Sequence, residues 1–368
     1  MAYIHHIETL VPEISYTQEF ACEVMKTWTP DPKAQRYINK VYSASGISKR
    51  HSVVRDFGQD GSDSLSIYRN NGELREPSTG ERNAVFVDES RAMVQEVARR
   101  AMENCSTVST GDITHLITIS CTGFYNPGPD LAVMDALSLS PDVERFHLGF
   151  MGCYAVFPAL KMAEQFCQSN PSATVLIVSV ELCSLHLQIK GDLDTVLANS
   201  VFADGAAAAV VSGKQPAQSG RAFDIAHFAC SLAPEGIEDM AWDIGDKGFN
   251  IVLSKYVARI IGAKIERIIS GMLARRDMNL QDIDTWAVHP GGRSILDKIE
   301  TSLKIEAEQI QASRKVLFDY GNMSSPTILF VLAEILQGSS TENGERVCAM
   351  AFGPGLTIET AILDAVVS

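Results

Sequence analysis

The chain has 368 residues, 46% of them hydrophobic and 21% charged, with a formal net charge of −14 and a pI near 5.0. This length allows two domains or one large duplicated core. The acidic balance argues against nucleic acid or an anionic membrane surface as main partner, so an anionic substrate would need a local basic patch.

The first residues, MAYIHHIETLVPEISY, carry no basic segment followed by an apolar run, so no secretory leader is expected. No apolar run approaches the ~18 residues of a membrane span. The cysteines at 22, 105, 121, 153, 167, 183, 230 and 348 form no CxxC pair. Neither a zinc site nor a disulfide scaffold is expected, and a reducing cytoplasm fits best.

In chain order, a strand is expected over 3–10 and a helix capped by Thr17. Residues 31–55 hold the densest basic run: Lys33, Arg36, Lys40, Lys49, Arg50 and Arg55. This run reads as a solvated helix face or a phosphate-recognition patch. The Gly-rich stretch 56–82 reads as loop or lid. A helix over 85–105 and a buried strand over 115–120 lead to Cys121-Thr122-Gly123, then a turn at Asn126-Pro127-Gly128 and a helix over 130–139. An apolar strand over 146–150 runs into Met151-Gly152-Cys153. Helical spacing follows at Val156, Phe157, Leu160, Met162, Ala163 and Phe166. Further on come a strand over 173–180 ending at Glu181, a helix over 194–201, the segment Phe202-Ala203-Asp204-Gly205 and a strand over 206–211. Residues 214–221 read as a linker. The second half is expected to hold a strand over 223–232, a loop with Trp242 and Gly245, a helix over 254–276, and a strand over 285–288 before His289-Pro290-Gly291-Gly292. A helix over 294–303, Gly321-Asn322, a helix through Leu336 and a strand pair around Gly353-Pro354-Gly355 close the chain.

Cys153 is the first candidate for chemistry. Placed in the first turn of a helix, a thiol meets unpaired N–H groups and the positive end of the dipole. Its pKa is expected to fall, to roughly 3.5–7.5 at such places. Gly152 would leave room for a substrate beside the sulfur. The alternative is an inert, packed cysteine.

The two halves echo each other. THLITISCTG parallels IDTWAVHPGG, setting Cys121 against His289. GCYAVFPALKMAEQF parallels GNMSSPTILFVLAEIL, setting Cys153 against Asn322. Two similar α/β halves packed face to face would bring Cys153, His289 and Asn322 into one cavity.

The segments MGCYA, AVHPGG, YGNMSS and AFGPGLTIET resemble the type III polyketide synthases, the chalcone synthase-like branch of the thiolase superfamily. The resemblance runs along the whole chain. It implies an α/β thiolase fold, internally duplicated and five-layered (αβαβα). Residues 1–218 would form the half with the nucleophile and 219–368 the half with the histidine and asparagine. It also implies that Cys153 carries the starter acyl group and then the growing chain. His289 would pair with the thiolate, and His289 and Asn322 would donate to the thioester oxygen.

By the same resemblance Phe202 is a gatekeeper between a CoA tunnel and the cavity. Ile251 stands where the family has a second gatekeeper phenylalanine, which should widen that wall. Cys121 and Trp242 stand at pocket-shaping positions, and Ser324 in YGNMSS belongs to the pocket. Lys33, Arg36 and Lys40, with Gly292, match the CoA-contacting set. His186 in ELCSLH reads as structural. ELCSLH, GFMGCYA and WDIGDKGF resemble bacterial members, above all the alkylresorcinol and alkylpyrone synthases that take fatty acyl-CoA starters. The implied substrates are acyl-CoA and malonyl-CoA, with no resident cofactor or metal. The implied assembly is a homodimer that sends a residue of the Asn126-Pro127 loop towards the partner's cavity. A malonyl-primed tetrahydroxynaphthalene synthase, a one-step ketoacyl synthase and a catalytically silent relative are the alternatives.

Overall fold

A computed structural model describes residues 1–57, 66–70, 73–218, 220–338 and 341–367. The first half contains β1 (Tyr3–Leu10), β2 (Ser15–Thr17), α1 (Gln18–Trp28), α2 (Pro32–Ala44), β3 (Lys49–His51), β4 (Arg69–Asn70), β5 (Glu73–Leu74) and α3 (Thr79–Asn104). It continues with β6 (His115–Ser120), α4 (Pro129–Leu137), β7 (Glu144–Gly149), α5 (Val156–Ser169), β8 (Thr174–Leu182), α6 (Leu193–Val201) and β9 (Asp204–Ser212). The second half contains β10 (Arg221–Leu232), β11 (Met240–Gly245), β12 (Gly248–Leu253), α7 (Val257–Ala274), β13 (Thr285–Val288), α8 (Arg293–Leu303), α9 (Gln311–Tyr320), α10 (Thr327–Gln337), β14 (Arg346–Gly353) and β15 (Thr357–Val367).

Period-two burial on the strands generates the layers. In β6, Ile117 and Ile119 face one apolar cluster and Leu116 the other. In β14, Ala349 and Ala351 face the first cluster, and Cys348 and Met350 a third. The first cluster also holds Val156, Phe157 and Leu160 of α5, and Ile328, Leu329 and Leu332 of α10. Helices α5 and α10 therefore form a middle layer between the two halves' strands. Helix α3 covers the outer face of the first half, and α7 and α8 that of the second. This is the expected five-layered α/β arrangement.

The strands of both halves join in one nine-stranded order, β13-β14-β15-β10-β1-β9-β8-β6-β7. The link is short: β1 pairs with β10 at Tyr3↔Asp224 and Ile4↔Phe223 alone. The repeat holds in detail. β6 runs parallel to β8, as β13 does to β14, and β9 and β15 return antiparallel. One difference appears: β7 has no strand counterpart, because α9 occupies that stretch of the second half.

Two local readings change. Helix α3 begins at Thr79, because Ser78 and Glu81 close a reciprocal capping box. The stretch expected as loop or lid, 56–82, lies partly outside the described residues. Trp242 and Gly245 lie on a β-hairpin, β11–β12, not a loop.

Candidate active site

Two strand ends and two helix starts point at one cavity. Cys121 follows β6 and His289 follows β13, while Cys153 and Asn322 each precede a middle-layer helix. All four line a cavity of about 40 Å³. The four positions paired by the repeat thus meet as its symmetry requires.

Cys153 lies in the turn before α5, which starts at Val156, rather than in the helix's first turn. Phe150 at φ 58° and Gly152 at φ 84° swing the chain out of β7. A Cβ on Gly152 would lie 2.5 Å from Pro354 Cδ, so this glycine admits Pro354 rather than a substrate. The Gly152 N–H donates to Cys121 Sγ at 3.0 Å. Burial pushes the Cys153 thiol up to about 12, opposed by its 3.4 Å contact with Ser324 Oγ. Burial thus acts against the lowering expected from the helix end.

His289 is 1% exposed, and neither ring nitrogen has a hydrogen-bond partner among the described residues. Burial lowers its imidazole to about 3. The neutral ring holds one N–H and one lone pair for whatever occupies the cavity. Asn322 is oriented by its neighbours. Its Oδ1 accepts the Ser324 N–H at 2.8 Å, and its Nδ2 makes only a long 3.4 Å bond to the Gly291 carbonyl. Ser324 reaches its place at φ 56°, a left-handed conformation.

The hairpin forms the opposite wall. Trp242 and Ile251 are cross-strand partners, and both face the cavity. The Trp242 ring stands edge-on to Phe202 at 6.2 Å. Ile251, expected to widen this wall, stands beside the larger Trp242 in it. His186 is structural: Nε2–H donates to the Thr122 carbonyl at 2.7 Å, Nδ1 accepts the Phe249 N–H at 3.1 Å, and the ring stacks on Phe249 at 4.0 Å.

Sequence reasoning passed over Glu181. Its carboxylate is fully buried and accepts from the Cys121 N–H at 2.9 Å, Thr122 Oγ1 at 2.8 Å and Ser325 Oγ at 2.5 Å. It thus ties the Cys121 turn to the Asn322 loop, and burial raises it to about 7. A lone carboxylate ending the apolar run VLIVSV was the available signal.

A mouth of about 450 Å³ adjoins the cavity, sharing Leu253, Gly291 and Ile295 with it. Lys40 and Gly292 line it. Lys33 and Arg36 are exposed on α2 but lie outside its lining. Lys255 and Arg293, not anticipated, are exposed cations in that lining. Arg50 is no phosphate ligand, being 2% exposed. Among the described residues no group of His, Cys, Asp or Glu is placed to hold a metal ion, and no helix is long and apolar enough to cross a membrane.

Known proteins share this architecture. Residues 2–216 match the family model for the N-terminal domain of chalcone and stilbene synthases, and residues 224–367 that for the C-terminal domain. The alpha-pyrone synthesis polyketide synthase-like Pks18 of Mycobacterium tuberculosis is 30% identical over 99% of this chain and 91% of its own. The crystal structure of PKS-I from the brown alga Ectocarpus siliculosus superposes with a TM-score of 0.91 at 28% identity, over 99% of this chain and 98% of that one. That of 1,3,6,8-tetrahydroxynaphthalene synthase from Streptomyces coelicolor A3(2) gives 0.87 at 27% identity, covering both chains completely. With both family models matched in order, and a duplicated core like that of solved relatives, the chain belongs to the chalcone and stilbene synthase family of type III polyketide synthases.

Proposed function

We propose that the protein condenses malonyl-CoA units onto an acyl-CoA starter and cyclises the product, with Cys153, His289 and Asn322 as the catalytic residues. The observation that carries this is His289: a buried imidazole with both nitrogens unpartnered, in the same dry cavity as a thiol and an oriented amide. In that cavity thiol and imidazole are each neutral at rest. Proton transfer from Sγ to the ring creates both charges together, so each stabilises the other where water cannot. The thiolate attacks the starter thioester, and CoA leaves as its thiol with the imidazolium's proton. Malonyl-CoA then loses CO2. The resulting enolate oxygen receives hydrogen bonds from His289 N–H and Asn322 Nδ2–H. The enolate carbon attacks the Cys153 thioester, forming the new C–C bond and freeing the thiolate. Lys40, Lys255 and Arg293 at the mouth supply positive charge for the CoA phosphates.

Similarity to Pks18 supports pyrone formation, and the bacterial-type segments ELCSLH, GFMGCYA and WDIGDKGF support a fatty acyl starter with pyrone or resorcinol formation. Similarity to the 1,3,6,8-tetrahydroxynaphthalene synthase of Streptomyces coelicolor A3(2) supports a second reading, a synthase of that kind primed by malonyl-CoA. At about 40 Å³ the cavity is far smaller than the ~150 Å³ that holds benzene, so on either reading its walls must move or the chain must extend into the adjoining mouth. A homodimer is part of the proposal. β7 is an exposed edge strand, and β7 and the 125–130 loop line one surface pocket, where a second copy could pair.

The test is a product assay with labelled malonyl-CoA and acetyl-, hexanoyl-, lauroyl- or palmitoyl-CoA. Long-chain pyrones or resorcinols support the fatty-starter reading. Product from malonyl-CoA alone supports the second. No condensation with any starter overturns the proposal.

A further inference from the structure

The last carbonyls of α6 lie just before Phe202, at a helix end where such groups have no intrahelical partner. Here four consecutive carbonyls are all taken. Asn199 O accepts Tyr42 Oη–H at 3.1 Å and Arg50 Nη1–H at 2.8 Å. Ser200 O accepts Gln18 Nε2–H at 2.7 Å. Val201 O accepts the Asn322 N–H at 2.8 Å. Phe202 O accepts the same Arg50 Nη1 at 2.7 Å. The guanidinium has no carboxylate in its ion pairs among the described residues. Instead Nε donates to Gln18 Oε1 at 3.0 Å, and the cation lies 5.3 Å and 5.7 Å from the Tyr16 and Tyr42 ring centroids. Its charge stands at the negative end of the α6 dipole. A Cβ on Gly321, the residue before Asn322, would come 3.0 Å from Arg50 Cγ. Arg50 therefore packs against both strands of the Phe202–Asn322 bridge.

We propose that Arg50 is a positioning residue for the condensation reaction: its guanidinium, held by Gln18 and Tyr42, sets the place of Phe202 and, through the backbone bridge, of the Asn322 amide. This rests on the reading of Asn322 given above. The argument is one of tolerance. A donor must stand within tenths of an ångström of the oxygen it serves, and a 1 Å misplacement costs about 10²-fold in rate. A helix end held only by its own neutral amides would leave that freedom. A buried cation binding two carbonyls with one nitrogen removes it. Cys153 and His289 hang from other elements, so the defect should be selective for the step that uses Asn322.

Two rates separate this from general destabilisation: acylation of Cys153 by hexanoyl-CoA, followed by intact mass, and CO2 release from labelled malonyl-CoA. They are measured on the full-length protein and on Arg50→Gln, Arg50→Lys and Tyr42→Phe. In Arg50→Gln, acylation should stay within about threefold of wild type while CO2 release falls roughly 10- to 10²-fold. Arg50→Lys should recover part of that loss, and Tyr42→Phe, which removes one hydroxyl, should show a smaller shift of the same sign. Equal losses of both rates across the three variants would overturn the proposal, as would unchanged CO2 release. Wild-type protein that is acylated but releases no CO2 would instead overturn the assignment of Asn322, and this inference with it.

Discussion

Asn322 and Phe202 are joined backbone to backbone: the Asn322 N–H donates to Val201 O and the Ala203 N–H to Asn322 O, each at 2.8 Å. One residue comes from the second half of the duplicated core and the other from the first. Phe202 and the Asn322 amide, which both line the cavity, are therefore tied together through the backbone. The side chain of Asn322 is free to act because its backbone is not. Asn322→Ala should lower malonyl-CoA decarboxylation about 10²–10³-fold, the usual cost of one oxyanion donor. Acylation of Cys153 should persist, since it does not pass through the enolate. CO2 release and intact mass on the same preparation check both parts.

Trp242 sets the size of the cavity. Replacing it with alanine removes the part of the wall beside Ile251 and the edge contact with Phe202. The ratio of kcat/KM for lauroyl-CoA to that for acetyl-CoA should rise at least about tenfold, with lower stability because a half-buried indole is lost. An unchanged ratio would mean that long chains lie elsewhere.

Glu181 gives a pH signature. Burial raises its carboxyl from an ordinary value near 4.5 to about 7. Below about pH 4.5 both folded and unfolded chains hold the proton. As pH rises towards 7 the unfolded chain ionises first, so this group's contribution to folding stability is lost across that window. Glu181→Gln should flatten the dependence. Urea unfolding at about pH 5 and about pH 7.5 should show a larger loss for wild type than for the variant.

Gly152 is held at φ 84° against Pro354. Gly152→Ala adds both left-handed strain and a clash, and should destabilise by about 1–3 kcal/mol. Chemical denaturation measures this directly.

The repeat in the sequence was enough to place Cys121 with His289 and Cys153 with Asn322. Strand period, turn glycines and helical spacing are local signals, and the duplication turns local equivalence into spatial meeting. Other properties depend on segments far apart. The raised thiol pKa of Cys153 comes from burial by both halves, which a helix-end argument over a few residues does not contain. Arg50 looked like one more cation of a solvated run. Its inward turn depends on Gln18, Tyr42 and α6, up to 152 residues away. Lys255 and Arg293 stand apart in sequence and share the mouth only through the fold. Trp242 and Ile251 became one wall only when the hairpin register was known, because the polar stretch DIGDKGFN hides the turn.

The most direct test of the central claim is intact-protein mass after incubation with hexanoyl-CoA in the absence of malonyl-CoA, with peptide mapping. The account predicts one acyl adduct per chain on Cys153, absent from Cys153→Ala and slowed in His289→Gln. An adduct on Cys121 in place of Cys153, or acylation of Cys153 at wild-type rate in His289→Gln, would contradict it.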